Sequence, residues 1–412
     1  MRAEPMTCWR PAPDRAEEFA SLPYDVFDRE GARAYVEAHP RSFLAIDRPE
    51  TSFPPDHDMY APDVYQRAAD LMRERATDGT LVHDETPSYY IYRLEQDGHA
   101  QTGIACACSV DEYLDGTIRR HENTTAAKEE DRVRHIRATG AQTGPIFLTY
   151  RDNYAIDVLV GAASSATPLY DFTDAEGVRQ TVWRVSRPAA VEALRATFST
   201  IPCAYIADGH HRAASAVRVC QELREGDKGE AGERPWDTFL AVLFPSSQLH
   251  VMAYNRVVLD RGGRSVDELV RDVEAAGFEV GPAQDAPVSP AGRHEFGMFV
   301  GGAWRPVHLT AELPEDGDPV SSLDASILQE RVLSPILGID DPRTSERIRF
   351  VGGIEGLGRL QELAGTDGVA FSLFPTSVDE LMAVSDAGEL MPPKSTWFEP
   401  KLRSGLFIRR LK

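Results

Sequence analysis

Residues 203–217 read CAYIADGHHRAASAV, and five successive positions, Asp208 to Arg212, hold one acid, one glycine, two imidazoles and one guanidinium. An apolar run precedes them and an Ala-rich helical run follows. A strand, a tight turn and an immediate helix present backbone N–H groups to an anion. Gly209 permits a positive φ and lets the backbone approach a ligand closely. Arg212 is expected to fork onto a phosphate, helped by the partial positive charge of the helix N-terminus. Asp208 is expected to hold Mg²⁺ or to orient a histidine. His210 and His211 are adjacent and leave a strand or helix in different directions, so the pair alone does not make a two-histidine metal site. The plainer reading is a capped helix, with Asp208 as N-cap and the histidines packed on a neighbour. So much polarity at the end of a buried strand is costly unless it is used, which favours a functional turn.

A second group lies in IRRHENTTAAKEEDRVRH, residues 118–135. His121, Glu122, Thr124 and Thr125 precede a charged helix, on which Lys128 and Arg132 are four apart and share a face. A solvated, salt-bridged helix with a threonine cap accounts for 126–135 by itself. A carboxylate beside a histidine just before a helix suits a general base or a metal ligand. The HExxH zinc signature is not met, because position 125 is Thr. A third group is MPPKSTWF, residues 391–398, where two prolines stiffen a loop presenting Lys394, Ser395 and Thr396. These three resemble the end of a P-loop, but the glycines of GxxxxGK[ST] are missing. A well-packed C-terminal turn is the plainer account. Tyr254, Asn255 and Arg256 form a weaker fourth group that an edge strand explains equally well.

The elements that must position these residues alternate irregularly, which points to an α+β or mixed α/β fold. Helices are expected at FDREGARAYVEAHP and PDVYQRAADLMRERATDG, the latter with Tyr65, Ala68 and Leu71 on one side, and at ENTTAAKEEDRVRHIRATG, which stops at Gly140. SFLAIDRP, PIFLTY, AIDVLV, CAYIA, TFLAVLFP and HVMAYNRVV read as strands. SYYIYRLEQDGHAQTGIACACSV reads as a hairpin around a type I′ Asp97–Gly98 turn. YDFTDAEGVRQTVWRVS reads as a further hairpin. PAAVEALRATF is a helix with proline in its first turn. Residues 226–236 and 282–294 read as surface loops. A hairpin, helices at 323–336 and 377–386 and the strand VAFSLF fill 296–380. The last segment carries Trp397, Phe398, Leu402, Leu406, Phe407 and Ile408, so it is expected to be ordered. Three segments are expected: 1–90, 91–260 with the first two groups, and 261–412, which returns the Lys394 loop to the site.

A chain of 412 residues is long enough for two or three such units. No apolar run reaches 18 residues and the N-terminus has no apolar signal region, so a cytoplasmic protein without membrane contact is expected. The formal net charge of −21 repels nucleic acid over most of the surface. Any phosphate site must therefore be a local basic pocket, and a small-molecule substrate is favoured; the chain is compatible with a homo-oligomer. The five scattered cysteines argue for thiols, not disulfides. Cys106 and Cys108 share a strand face, but no second pair completes a metal site.

LPYDV (22–26), RHENT with KEEDR (120–132), YIADGHHR (205–212), YNRVV (254–258) and MPPKSTWFEPKL (391–402) run in order along the chain. On these landmarks it resembles the bacterial and archaeal domain-of-unknown-function family 1015. The DGHHR turn also resembles that of free serine kinases built on the ParB/sulfiredoxin fold. That second resemblance implies a ParB/sulfiredoxin-like nucleotide-binding core elaborated with extra hairpins and helices. It implies that residues 208 to 212 hold nucleotide phosphates and Mg²⁺ and that Glu122 deprotonates an acceptor hydroxyl. Lys128, Arg132 or Lys394 would bind phosphates or the substrate carboxylate. His121, Thr124, Gly209, Ser395 and Thr396 would join the nucleotide contacts, with His210 and His211 beside the reacting groups. The implied activity is transfer of a phosphoryl group from ATP or ADP to a hydroxylated amino acid, L-serine first. The other readings are a nucleotide-binding regulator without turnover and a metal-dependent hydrolase using His121, Glu122, His210 and His211.

Overall fold

The computed structural model describes residues 1–227, 232, 234–313 and 317–411. The fold is mixed α/β. Its contacts divide the chain into two units that cut across the three segments drawn from the sequence. Unit 1 comprises 1–120, 124–249 and 400–412, and unit 2 comprises 121–123 and 250–399.

Unit 1 is organised by a mixed sheet. Its strands run in the order Ile118–Arg119, Ala204–Asp208, Ile146–Tyr150, Thr238–Pro245, His99–Ser109, Leu81–Gln96, Arg179–Val185 and Tyr170–Thr173. The two long central strands form a hairpin whose turn residues, Asp97 (φ 50°) and Gly98 (φ 80°), are both left-handed, as a type I′ turn requires. Two parallel pairings occur: Ala204–Asp208 with Ile118–Arg119, and Thr238–Pro245 with Ile146–Tyr150. Tyr205, Ile206, Phe147, Leu148, Leu243 and Cys106 are all buried on this sheet, so the strand that ends at Asp208 is anchored in the core. The five cysteines are buried and unbridged.

Two stretches expected as strands are helical. SFLAIDRP contains the helix Leu44–Asp47 followed by a 3₁₀ turn, Pro49–Ser52. Leu44, Ala45, Ile46 and Asp47 are all buried, so the run has no alternation to betray its period. AIDVLV lies in the helix Tyr154–Ala163, because Asn153 caps it by accepting from the N–H groups of Ala155 (3.0 Å) and Ile156 (3.3 Å). HVMAYNRVV is two strands, His250–Met252 and Tyr254–Val258, in different sheets. The loop expected at 226–236 lies partly outside the described residues; at its ends, Gly226 closes a helix and a 3₁₀ turn, Pro235–Asp237, begins.

Unit 2 carries an antiparallel six-stranded sheet, ordered Phe278–Val280, Ala303–Leu309, Glu295–Val300, Val369–Leu373, Tyr254–Val258 and Ile348–Gly352. Phe296, Met298, Phe371 and Val258 pack with Leu269, Val273, Leu328 and Leu333 into its core. A separate two-stranded ribbon pairs His250–Met252 with Trp397–Glu399, which brings the chain emerging from the Lys394 loop alongside the start of the Tyr254 strand. No helix is long and apolar enough to cross a membrane among the described residues.

Candidate functional site

In unit 1 the strand Ala204–Asp208 ends in Gly209, at φ 95° and ψ 31°, and the 17-residue helix His210–Gly226 starts at once. Gly209, not Asp208, is the N-cap. The first-turn N–H groups of such a helix have no intrahelical acceptor and carry the positive end of its dipole. A β-carbon on Gly209 would lie 2.9 Å from Arg212 Nε and 3.0 Å from Cζ. Glycine is thus required twice, for its backbone conformation and for the space under it.

That space is filled by Arg212, and here an expectation is corrected. The Arg212 guanidinium does not face outward to fork onto a phosphate. It is 8% exposed, and its Nη2 donates to Asp208 Oδ2 (2.8 Å) and its Nη1 to the Pro145 carbonyl (2.6 Å). Burial works to lower its pKa, but Asp208 foremost, then Asp25, raise it above the ordinary arginine value. Arg212 therefore shapes the turn from inside. Asp208 Oδ2 also lies 3.9 Å from Lys401 Nζ, a buried cation inside the MPPKSTWFEPKL landmark that had carried no candidate role. With Arg212 and Lys401 both beside it, the Asp208 carboxylate is already charge-compensated.

The two histidines separate as their adjacency requires. His210 is buried at the first helical position. His211 turns to the neighbouring helix Ala126–Thr139, where its Nε2 accepts from the backbone N–H of Thr125 (3.1 Å), the N-cap of that helix. This contact needs a ring that is unprotonated at Nε2. The Thr125 hydroxyl lies 3.4 Å from the same nitrogen, so the expected cap is spent on His211. Two helix N-termini are thereby tied together.

On the Ala126–Thr139 helix, Lys128 is exposed and Arg132 is buried. Arg132 bonds Asp131 through Nε (2.9 Å) and stands 4.0 Å over the Tyr24 ring. Burial opposes its charge, but Asp131 and then Tyr24 and Asp47 hold its pKa above the ordinary value. Arg132 and Arg212 line a common cavity of about 30 Å³ with Tyr24, Asp47 and His135. That is room for water and not for a nucleotide. Lys128 lines a larger cavity of about 190 Å³ with Asp25, Arg48, Tyr60 and Asp131. Thr124 Oγ1 donates to Glu129 Oε2 (3.2 Å).

Unit 2 brings together three of the other predicted elements. The buried His121 accepts from Met391 N–H through its carbonyl (2.8 Å), and its Nε2 lies 3.5 Å from Thr396 Oγ1. Ser395 Oγ donates to the Pro392 carbonyl (2.7 Å). Lys394 takes a left-handed conformation, φ 61°, and its Nζ lies 5.7 Å from the Tyr254 ring centroid. Burial raises the Tyr254 pKa, while Lys394, which hydrogen-bonds the phenol, and Arg256 lower it and Glu122 raises it. His121-Glu122, the Tyr254–Arg256 strand and the Lys394 loop therefore converge. Arg256 and Tyr254, the weakest sequence candidates, are central to the cluster. Asn255 is structural: its Oδ1 accepts from Leu373 N–H (3.1 Å) inside the sheet.

The model of the family described as protein of unknown function (DUF1015) matches residues 3–326, and the chain belongs to that family. The Lys394 loop lies beyond the matched span. No curated protein matches. Three solved structures are distantly similar. A mutant free serine kinase in complex with ADP is 16% identical, with 71% of this chain and 87% of that chain covered and a TM-score of 0.37. SbnI with C-terminal truncation from Staphylococcus aureus is 14% identical, with 72% and 84% covered and a TM-score of 0.37. A conserved hypothetical protein from Pyrococcus furiosus is 15% identical, with 71% and 90% covered and a TM-score of 0.35. At such TM-scores none of the three bears on the chemistry of the site.

Proposed function

We propose that this member of the family is a small-molecule kinase, transferring a phosphoryl group from ATP or ADP to a hydroxylated amino acid, with L-serine as the favoured acceptor. One observation carries the reading: a buried strand turns through Gly209, at φ 95°, directly into a 17-residue helix. Such a turn cradles phosphate oxygens on backbone N–H groups without needing a basic surface, which suits a chain of net charge −21. Lys401, next to Asp208, adds a compact cation at the same strand end.

Phosphoryl transfer asks little covalent chemistry of the protein; positioning and charge neutralisation do most of the work. Turn amides and Lys401 neutralise charge on the transferring group. Arg212 acts through the turn, by fixing Asp208 and the Gly209 backbone. His210 and His211 flank the phosphates, with His211 also tying the turn to Thr125. Glu122 is the base that accepts the acceptor's hydroxyl proton. Lys128 serves long-range attraction of the nucleotide. Mg²⁺ would enter with the nucleotide and would supply charge neutralisation for its phosphates.

The test is direct. Purified full-length protein is incubated with ATP or ADP, Mg²⁺ and L-serine, and O-phosphoserine is followed by mass spectrometry. Product is expected with wild type and is expected to be lost in Asp208→Ala and Glu122→Ala. Nucleotide binding without turnover over a panel of hydroxylated metabolites would replace this reading with a regulatory one. Stoichiometric zinc or manganese in protein purified without added metal would replace it with a hydrolase.

A further inference from the structure

The strand Met6–Pro11 of unit 1 carries a tryptophan that belongs to no candidate group. Trp9 pairs with His83 on one side and with Ile408 on the other, where its N–H donates to Ile408 O (2.9 Å) and Ile408 N–H donates to Trp9 O (2.8 Å). Alternation along the strand buries Arg10, whose Nε donates to Asp84 Oδ2 (2.7 Å), and leaves Trp9 half-buried on the opposite face. The His83 imidazole stacks on the indole, with ring centroids 4.9 Å apart and planes 14° from parallel. The Arg410 guanidinium stands 5.5 Å from the centroid of the same indole. Side chains from three neighbouring strand segments are thus gathered side by side.

They border a cavity of about 640 Å³, the size of a small-metabolite site. Arg195, Arg234, Arg409 and Arg410 line it, and Glu4 is the one lining carboxylate among the described residues. That balance is the reverse of the whole chain's, which is −21. Arg195 is held by Glu4 (2.9 Å) and Glu192 (3.4 Å), Arg234 by Asp227 (2.8 Å), and Arg409 donates to the Thr238 carbonyl (2.7 Å). Arg410 is exposed, and no carboxylate among the described residues pairs with it. Stacking on an indole fixes a guanidinium by its face and leaves its in-plane N–H groups for an acceptor. Guanidinium groups converging on one cleft focus a field that draws in an anion. The acidic remainder of the surface repels nucleic acid, so that anion is small.

We propose that this cavity is a separate anion site, which binds a phosphate group, either free or as the monoester of a small molecule. Arg410 supplies a forked pair of charge-assisted bonds to the phosphate oxygens, and Trp9 holds the fork in place. His83, exposed and lining the same cavity, adds a further donor. Arg195, Arg234 and Arg409 contribute positive charge around it. None of residues 208–212 lines the cavity, so the site does not rest on the kinase reading.

The probes are inorganic phosphate and phenyl phosphate, titrated by calorimetry into full-length protein at low ionic strength, with phenol as the control that lacks the phosphate. Wild type is expected to bind both phosphates and not phenol. Arg410→Ala is expected to weaken both about tenfold or more, the worth of one charge-assisted bond. Arg410→Lys should recover only part of the loss, because an ammonium cannot fork, and His83→Ala should lose less than Arg410→Ala. Both side chains are exposed, and circular dichroism confirms that each variant is folded. Tighter binding of phenyl phosphate supports the site with a phosphomonoester as its ligand; equal or weaker binding of it supports the site with free phosphate. Absence of phosphate binding, an unchanged affinity in folded Arg410→Ala, or full recovery in Arg410→Lys overturns the proposal. A phosphate affinity that falls in Gly209→Ala and not in Arg410→Ala puts the ion at the turn and overturns it as well.

Discussion

Replacing Gly209 with alanine tests whether the turn is held by what lies beneath it. The new β-carbon would sit 2.9–3.1 Å from three atoms of the Arg212 guanidinium. At φ 95° an alanine also pays for a left-handed backbone, about 1–2 kcal/mol. The guanidinium must then move away from Asp208 and the Pro145 carbonyl, and its charged hydrogen bonds are worth about 1.5–3 kcal/mol net. Arg212 is almost fully buried, so solvent does not replace those bonds. The two contributions together come to about 2.5–5 kcal/mol. Gly79→Ala is the matched control, because Gly79 has φ 82° and nothing within 4 Å of its notional β-carbon. It should cost only the backbone share, about 1–2 kcal/mol. Urea unfolding of both variants, followed by circular dichroism at neutral pH, measures the difference. If the two substitutions cost the same within about 0.5 kcal/mol, Arg212 does not support the turn as argued.

Other consequences are open to the same kind of measurement. His211→Ala removes the acceptor of the Thr125 N–H, so the hydrogen-exchange protection of that amide should fall about fivefold, the equivalent of about 1 kcal/mol. Unchanged protection would break the proposed tie between the two helices. Asp324 is buried, and burial raises its pKa to about 7 despite the His294 N–H it accepts. A carboxyl with a raised folded pKa favours the folded state below its unfolded pKa, near 4, and loses that contribution as pH rises through about 7. Asp324→Asn should therefore flatten the fall in unfolding free energy between pH 4.5 and 7.5, by at most about 4 kcal/mol. An identical slope in both proteins would contradict this. Arg256→Met should change unfolding free energy by less than about 1.5 kcal/mol, because burying an uncompensated charge already offsets the packing it provides. A loss of 3 kcal/mol or more, as when one partner of a buried pair is removed, would show that Arg256 has a counter-charge after all. For activity, Glu122→Gln should lower kcat by about 10²–10⁴, with the affinity for nucleotide unchanged.

The amino-acid order alone determined a good deal of this protein. Helical period and punctuation located Pro62–Thr77 and Ala126–Thr139 with their glycine stops at Gly79 and Gly140, because those signals are local in the chain. The Asp97–Gly98 turn was legible for the same reason: two left-handed residues in a row need that pair. The positive φ at Gly209 followed from a strand meeting a helix with no linker between them. Leu44–Asp47 and Tyr154–Ala163 were misread, since short apolar runs look alike as strand or helix until burial and the Asn153 cap decide. What the side chains of the site do was decided only in three dimensions. Arg212 looked like an anion ligand, yet its reach back to Asp208 and Pro145 depends on where residue 145 lies, 67 positions away in the chain. Lys401 lies in the MPPKSTWFEPKL landmark but carried no candidate role; its value comes from standing 3.9 Å from Asp208. Arg256 was only a weak candidate in the sequence, because its burial, with no carboxylate paired to it among the described residues, is a property of the folded surroundings. Chemistry of residue types is written locally, but charge compensation and hydrogen-bond partners belong to contacts that only folding creates.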